Sequence, residues 1–197
     1  MQKILDHLQI PYVIGIGEAA FYGPKLDIQI RNVWGKEDTL ITIQIDQMLA
    51  TKFGMEYTDK DGNKRNPYII HRTSIGCYER TLAYLIEKYA GAFPLWLAPE
   101  QVRVLALTDR NNEYVKNIVK TLTAEGLRAE ADIRNEKVGY KIREALSQKV
   151  PYLIIVGDEE EKNQTISIRG RGNENKSGLH LADFIERLKE EVKTKKR

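Results

Sequence analysis

The pattern of apolar and polar residues divides the chain into two parts. Between residues 26 and 46 apolar and polar residues alternate, which is typical of half-buried strands. After residue 102, short apolar runs alternate with segments whose apolar positions recur every three or four residues, which is typical of amphipathic helices. The pattern therefore predicts an antiparallel sheet first and strand–helix–strand units afterwards.

The first part is predicted to be an α+β arrangement, in which one helix closes a sheet. A short helical turn is expected at residues 1–9, strands at 11–17, 26–33, 40–46 and 68–71, and hairpin turns at 34–38 and 59–64. Gln44 and Asp46 share one face of a central strand in this prediction. Polar side chains in that position require a structural or functional reason.

The stretch from Pro67 to Arg80 is predicted to join a strand to a helix. Residues 68–70 indicate a buried strand. Ser74 is predicted to cap the helix, and Gly76 allows the backbone to approach another group closely. One face of the helix is expected to carry Tyr78, Leu82, Leu85, Ile86 and Tyr89.

Arg80 lies near the start of this helix, where a cation is unfavourable because the helix N-terminus carries partial positive charge. The residues alone leave two interpretations open. A bound polyphosphate would suit both the helix start and the guanidinium group. Alternatively, Arg80 is a surface residue paired with Glu79 or Glu87.

Prolines and a glycine among the apolar residues 91–99 predict a boundary between domains 1–97 and 98–197. The second domain is predicted to be an α/β domain with a mixed sheet and three helices. The strands of this domain are predicted at 102–107, 127–133, 151–156 and 165–169, and its helices at 112–125, 138–149 and 181–192. The third and fourth strands are expected to form a hairpin through residues 159–164.

Composition narrows the class of protein without naming a function. The chain has 197 residues, of which 42% are hydrophobic and 30% charged, as in ordinary globular domains. No apolar run approaches the roughly 20 residues of a membrane span, and the start lacks the apolar core of a signal peptide. The single cysteine, Cys77, excludes an internal disulfide and suits a reducing compartment, so we expect a cytoplasmic protein. The net charge of +3 means that any nucleic-acid binding must come from local patches.

Several motifs occur in an order and spacing that resembles the threonyl-tRNA synthetases. The resemblance covers nearly the whole chain. It implies the end of a class II catalytic domain followed by an anticodon-binding domain, with the family's earlier signature motifs upstream of Met1. The motifs are Phe21-Tyr22-Gly23-Pro24-Lys25, Thr42-Ile43-Gln44-Ile45-Asp46, Ile70-His71-Arg72 and the segments 76–80, 91–99, 134–144 and 150–152.

The resemblance implies roles for residues of the first domain. Arg80 matches the catalytic arginine of the family's third signature motif, which holds the phosphates of ATP, and Gly76 belongs to the same turn. Tyr22 and Lys25 match residues that line the pocket for threonine and the adenylate. Gln44 matches a polar contact to the substrate. ATP with Mg²⁺ is therefore the expected cosubstrate.

The resemblance also implies an active-site zinc ion. His71 matches one of the three protein ligands that the family uses for Zn²⁺, which would bind the amine and hydroxyl of threonine and so refuse valine. The other two ligands have no candidate in this chain, because Cys77 matches a position that does not bind metal. From the sequence alone, a single histidine at the end of a strand is more often structural.

The chain departs from the family pattern beside the substrate pocket. Where many members have Gln-Cys-Gly-Thr, this chain has Thr39-Leu40-Ile41-Thr42. Cys77 stands where the family often has serine. These differences concern the shape of the amino-acid pocket and leave His71 and Arg80 in place.

In the second domain, the resemblance assigns base recognition to Asn135, Glu160 and Arg169. Lys137 and Arg143 are expected nearby as phosphate or base contacts. We expect one edge of the sheet to bring these residues together. The alternative is that Glu160 belongs to a solvated acidic run at 158–161, and Arg169 to a basic run at 169–171.

The resemblance implies that the full-length protein is a homodimeric threonine–tRNA ligase, which activates threonine with ATP and transfers it to its tRNA. This chain would be an incomplete fragment that carries anticodon recognition and is inactive alone. One alternative is a non-catalytic tRNA-binding or regulatory paralogue. A synthetase for another amino acid is a third possibility, against which the His71 position and residues 21–25 argue.

Overall fold

The computed structural model describes residues 1–172 and 174–196. The chain forms two compact units, Met1–Lys88 and Tyr89–Arg197. Within the described residues, no helix is both long and apolar enough to cross a membrane.

The first unit is built on a three-stranded antiparallel sheet in the order β1-β2-β5, with a separate two-stranded ribbon of β3 and β4. The central strand, β2, pairs with both neighbours. In chain order the elements are α1 (Gln2–His7), β1 (Lys25–Arg31), β2 (Glu37–Asp46), α2 (Leu49–Lys52), β3 (Tyr57–Thr58), β4 (Lys64–Arg65), β5 (Ile69–Arg72) and α3 (Tyr78–Tyr89).

Three sequence predictions about the first unit are wrong. Residues 11–17 form no strand, and their apolar side chains are exposed, Val13 by 95% and Ile16 by 94%. An apolar run becomes a strand only where a neighbouring strand pairs with its backbone. The strand at residues 68–70 is not buried, because β5 lies at the sheet edge and leaves Tyr68 70% and Ile70 68% exposed. Ser74 does not cap the helix, which begins only at Tyr78.

Gly76 explains the late start of α3. Its φ of +75° is incompatible with a helix and favours glycine. A Cβ atom at this position would lie 2.0 Å from the carbonyl oxygen of Leu40. The loop before α3 therefore approaches β2 closely, as the sequence predicted, and only a residue without a side chain fits there.

This close approach predicts the effect of Gly76→Ala. The matched control is Gly62→Ala, since Gly62 has a φ of +82° but open space where its Cβ would lie. Both changes carry the backbone cost of about 1–2 kcal/mol for an L residue in this region, but only Gly76→Ala displaces β2. We expect faster amide hydrogen exchange in β2 for Gly76→Ala alone. Equal exchange of β2 in the two variants would contradict the account.

The second unit is a mixed five-stranded sheet in the order β10-β9-β8-β6-β7. Strand β6 pairs in parallel with β7 and β8, whereas β9 is antiparallel to β8 and β10. The elements are β6 (Val102–Ala106), α4 (Asn112–Ala124), β7 (Ala129–Asp132), α5 (Val138–Ser147), β8 (Tyr152–Val156), α6 (Asp158–Asn163), β9 (Ile166–Gly170), β10 (Asn175–Leu179) and α7 (Leu181–Lys193).

The mixed sheet, its parallel units and its three long helices are confirmed. The connection between β8 and β9 is not a hairpin loop, however, because it contains the short helix α6. The acidic residues that suggested a solvated loop stand in the first turn of α6, where negative charge is favourable. The edge strand β10 was not predicted, since its polar sequence lacks strand alternation.

The two faces of this sheet are covered differently. Helices α4 and α7 cover one face, where Ile118, Leu122 and Phe184 pack with Val104 and Ile154. Helix α5 covers part of the other face, where Ala145 packs with Leu105 and Leu153. Beyond α5, the same face carries Ser167 and Arg169 of β9 and Asn175 of β10, which are half-buried or exposed. We call these three residues the open face.

The segment after α3 is a fixed part of the second unit. The carbonyl oxygen of Ala98 accepts a hydrogen bond from Arg128 Nε at 2.9 Å, and the carbonyl oxygen of Leu95 accepts one from Gln101 Nε2 at 2.9 Å. Gln101 is buried, so its amide would be costly to leave without partners. This segment is therefore held to the second unit through its backbone.

Arg187 fastens α7 to the sheet. Its guanidinium donates to both carboxylate oxygens of Glu174, each at 2.7 Å, and to the hydroxyl of Tyr152 at 3.1 Å. The hydrogen bond from Arg187 lowers the pKa of Glu174 to about 2. Burial, together with the hydrogen bond to Glu191, raises the pKa of Tyr152 to about 12. The network is therefore ionised at Glu174 and neutral at Tyr152 near pH 7.

This ion pair predicts how stability depends on pH. Because the pKa of Glu174 falls from 4.5 to about 2 on folding, its contribution to the free energy of unfolding is complete above about pH 4.5. That contribution is lost as the pH falls towards 2. Glu174→Gln should lower the free energy of unfolding by about 1 kcal/mol at neutral pH and remove this part of the acid dependence. Denaturation across this range, with exposed Glu159→Gln as the control, tests it; identical acid profiles for the two variants would contradict it.

Candidate substrate site and nucleic-acid interface

Three polar side chains form a row across the sheet of the first unit. Lys25 on β1 is paired with Gln44 on β2, and Gln44 is paired with His71 on β5. Directly paired residues project from the same face of a sheet. The alternation predicted for β2 therefore has its reason, because Gln44 is the centre of a polar face.

Tyr22 joins this row from the loop before β1. Its hydroxyl donates to the Gln44 Oε1 atom at 2.8 Å, and its ring centroid lies 6.1 Å from that of His71. Gly23 makes this possible, since its φ is +152° and a Cβ there would lie 2.0 Å from the carbonyl oxygen of Ile45. The loop thus lies tightly against β2 and fixes the tyrosine over the row.

Lys25 is held by a carboxylate that the sequence analysis did not single out. Its Nζ atom lies 2.6 Å from Asp27 Oδ2, and the Thr42 hydroxyl donates to Asp27 Oδ1 at 2.8 Å. Burial alone would raise the pKa of Asp27, but the hydrogen bonds from Lys25 and Thr42 outweigh it and lower that pKa. The bond to Asp27 raises the pKa of Lys25. In the sequence, Asp27 could have been found from its opposite charge two residues from Lys25 on a predicted strand.

Asp46 ends β2 beside the row, on the same face as Gln44, and is fully buried. Its Oδ1 atom accepts hydrogen bonds from the backbone N–H groups of Met48 and Leu49, both at 2.9 Å. Its Oδ2 atom lies 3.0 Å from the Nε2 atom of His71. Burial alone would raise the pKa of Asp46, but these three hydrogen bonds outweigh it and hold the pKa below its usual value.

Arg80 and Gly76 contact β2 farther along, about 15 Å from Gln44 at the usual strand rise. The Arg80 Nη1 atom donates to the carbonyl oxygen of Thr39 at 2.8 Å. The pairing of β1 with β2 shifts here, because Gln29 is opposite Thr39 and Leu40 is the extra residue. Two of the positions that depart from the family pattern, Thr39 and Leu40, therefore form the strand surface under the start of α3.

The structure favours neither partner that the sequence offered for a surface Arg80. Within residues 1–172 and 174–196, Arg80 forms no ion pair with Glu79 or Glu87. Glu79 instead accepts a hydrogen bond from the Cys77 thiol at 2.8 Å. The guanidinium of Arg80 is exposed beside the first turn of α3.

The residues present do not fit a zinc centre. Zinc sites in proteins use three or four protein ligands. In the part of the chain that the structure describes, no group of three or more histidine, cysteine, aspartate or glutamate residues is placed to hold a metal ion. Cys77 is occupied with Glu79, and Asp46 is occupied with backbone groups and His71. No step through zinc follows from these residues.

Glu160 has a structural role in the second unit. It is the third residue of α6, and its Oε2 atom accepts a hydrogen bond from the Gly157 N–H at 3.0 Å. Its Oε1 atom accepts from the Ser167 hydroxyl at 2.7 Å. Burial alone would raise the pKa of Glu160, but these hydrogen bonds outweigh it and hold the pKa below its usual value. The carboxylate is therefore ionised and fixed beside the open face.

Arg169 lies on the open face itself. It is paired with Leu153 on β8 and with Asn175 on β10. No ion pair holds Arg169 among the residues described. Arg169 lies about 10 Å along the strand from the carboxyl end of β8. Arg169 and Glu160 are therefore on the same side of the sheet, but one edge of the sheet does not bring them together.

Asn135, Lys137 and Arg143 form a second group beside β7. Asn135 lies in the loop after β7, Lys137 immediately precedes α5, and Arg143 is exposed on that helix. The buried Lys141 fixes the helix start by donating to the carbonyl oxygens of Ala106 and Asp132, both at 3.2 Å. Three strand spacings, about 14 Å, separate β7 from β9, so the five residues form two groups rather than one cluster.

Two family models match the chain, one for each part. Residues 1–89 match the tRNA synthetase class II core domain (G, H, P, S and T). Residues 101–191 match the anticodon binding domain. The two matches lie in the two parts of the chain that carry the polar row and the open face.

Named relatives agree with the family models. The threonine–tRNA ligase of Clostridium botulinum (strain Eklund 17B / Type B) is 58% identical over 197 residues, which is 100% of this chain and 31% of that protein. The threonine–tRNA ligase of Clostridium perfringens (strain SM101 / Type A) is 57% identical over 192 residues, which is 98% of this chain and 30% of that protein. The chain thus spans about a third of the length of these relatives.

A solved structure has the same fold. The RNA binding domain of threonyl-tRNA synthetase from Cryptosporidium parvum Iowa II matches with a TM-score of 0.83 and 30% identity, over 96% of this chain and 48% of that one. The identity, the two matched domains and the shared fold agree. The chain therefore belongs to the threonine–tRNA ligase family of class II aminoacyl-tRNA synthetases, of which it carries a core segment and an anticodon-binding domain.

Proposed function

We propose that this chain supplies a threonine–tRNA ligase with one wall of its substrate site and with its anticodon-binding domain. The complete enzyme activates threonine with ATP and Mg²⁺ and transfers it to threonine tRNA. The observation that carries the proposal is the polar row of Lys25, Gln44 and His71 under Tyr22. A small polar substrate needs several polar groups in fixed positions, and the row supplies them on one face.

In this proposal the row binds the amino-acid part of the adenylate. Gln44 and Tyr22 are linked by a hydrogen bond, so their remaining donors and acceptors have fixed directions. Lys25 is paired with Asp27 and therefore acts as an oriented hydrogen-bond donor more than as a free cation. Preorganised polar groups of this kind stabilise a reacting group without rearranging.

Arg80 binds the phosphates of ATP in this proposal. The partial positive charge at the start of α3 and the guanidinium together favour a polyphosphate, which removes the unfavourable placement noted in the sequence. The hydrogen bond to the Thr39 carbonyl fixes one end of the guanidinium and leaves the other nitrogens free. Mg²⁺ would neutralise further phosphate charge when bound.

The open face and the loop after β7 read the anticodon in this proposal. Unstacked bases present donors and acceptors along their edges, and Asn135, Glu160 and Arg169 can match them. A separation of about 14 Å between the two groups suits adjacent bases that are splayed apart. Lys137 and Arg143 are exposed cations in the same group as Asn135 and suit phosphate contacts.

Grafting tests the catalytic part of this proposal. We expect the 197-residue chain alone to be inactive in threonine-dependent pyrophosphate exchange, since the resemblance places the α-phosphate arginine elsewhere. Replacing the corresponding segment of the Clostridium botulinum relative with this chain should give an active enzyme. In that enzyme, Arg80→Ala should lower the rate by about 10²–10³-fold, the order found on removing one group that stabilises developing charge.

Arg31→Ala is the matched control in the grafted enzyme. Arg31 lies at the end of β1 and is paired with Glu37 at 2.9 Å, with 74% of its side chain exposed. Its removal should leave the exchange rate nearly unchanged. If Arg80→Ala and Arg31→Ala behave alike, Arg80 has no role in the reaction. Exchange by the chain alone would also contradict the proposal.

Binding to tRNA transcripts tests the anticodon part. Glu160→Gln is preferable to Glu160→Ala, because the carboxylate also caps α6 and a glutamine keeps that shape. Glu160→Gln and Asn135→Ala should each lose about 1–3 kcal/mol of discrimination between cognate and altered anticodons. Lys137→Ala should instead weaken all tRNAs alike and reduce the salt dependence by about one phosphate contact.

Lys162→Ala is the control for nonspecific charge, since Lys162 is an exposed cation on α6 outside both groups. It should change affinity less than Lys137→Ala does. If Glu160→Gln and Asn135→Ala keep full preference for the cognate anticodon, neither residue reads a base and the proposal is wrong for both.

A further inference from the structure

The buried carboxylate of Asp46 is placed to act on His71. Its side chain has no exposed surface, and its Oδ1 atom is used by two backbone N–H groups at 2.9 Å. The Oδ2 atom lies 3.0 Å from His71 Nε2. An ionised carboxylate carries no proton, so it can only accept hydrogen bonds.

This arrangement decides which imidazole nitrogen carries the proton. A neutral histidine has one N–H donor and one acceptor nitrogen, and the partner of one nitrogen fixes the state of the other. Because Asp46 can only accept, the Nε2 atom of His71 must be the donor. The Nδ1 atom is then left with a lone pair, and 43% of the histidine side chain is exposed beside Tyr22 and Gln44.

We infer that Asp46 is a positioning residue, which fixes His71 as the Nε2–H tautomer and makes Nδ1 an acceptor on the polar row. An acceptor nitrogen binds a hydrogen-bond donor, such as the ammonium group of an amino acid, and disfavours a carboxylate. Only this statement about the ligand rests on the proposed function, because the tautomer is a property of the chain alone.

The tautomer is measurable by two-bond ¹H–¹⁵N correlation on the ¹⁵N-labelled chain at mildly alkaline pH. The chain has three histidines, so the signals of His71 are identified by their loss in His71→Gln. We expect Nδ1 of His71 to have the shift of an unprotonated nitrogen and Nε2 that of a protonated one. The opposite assignment in the unaltered chain would overturn the inference.

Asp46→Asn is the decisive variant. The amide oxygen of asparagine can still accept from Met48 and Leu49, which leaves its NH₂ group to face His71 and donate to Nε2. The two nitrogen assignments should therefore exchange. Asp61→Asn, in the exposed turn between β3 and β4, makes the same chemical change away from His71 and should leave the assignments unchanged.

An Asp46→Asn spectrum with the original assignments would show that another group sets the tautomer. If this variant fails to fold, the spectrum of the unaltered chain still decides. These measurements use no substrate, so failure of the grafted enzyme would not change them. Conversely, an active graft with the wrong tautomer would overturn only the role of Asp46.

Discussion

A single buried carboxylate organises the functional part of the first unit. Asp46 ends β2, accepts two backbone hydrogen bonds at the start of α2 and lies 3.0 Å from His71 on β5. A buried charge without such partners would cost several kcal/mol, so the strand end, the short helix and the histidine have to keep their positions together. The polar row of Lys25, Gln44 and His71 depends on these fixed positions.

The second unit separates its packing from its recognition surface. Helices α4 and α7 bury one face of the sheet completely enough to provide the core, which leaves β9 and β10 free to carry polar residues on the other. Glu160 illustrates how close the two roles lie. The same carboxylate that fixes α6 against Ser167 is held, ionised, beside the open face that carries Arg169. Structure and the proposed base contact therefore cannot be separated by simple truncation, which is why conservative variants are needed.

Much of the fold could be predicted from local patterns, since most strands and the three long helices of the second unit follow clear apolar periods. The failures at strands share one cause, which is that strand pairing is not local. Residues 11–17 are apolar but pair with no strand in this chain, and polar β10 forms because β9 offers it an edge. The resemblance pointed to His71, yet its contact with Asp46 joins two strands and could not be predicted from local patterns. Asp27 lies two residues from Lys25 on the same strand, so its role was within reach of the sequence. The role of Glu160 as a cap was hidden because its loop was not read as a helix.

The central claim is that the polar row and Arg80 at the start of α3 are two ends of one substrate site on β2. A structure of the grafted ligase with a non-hydrolysable threonyl-adenylate analogue tests this most directly. The account predicts the amino-acid part of the analogue against Tyr22, Gln44 and His71, and its phosphate part towards Arg80. An analogue bound without contact to this face of the sheet would contradict the claim.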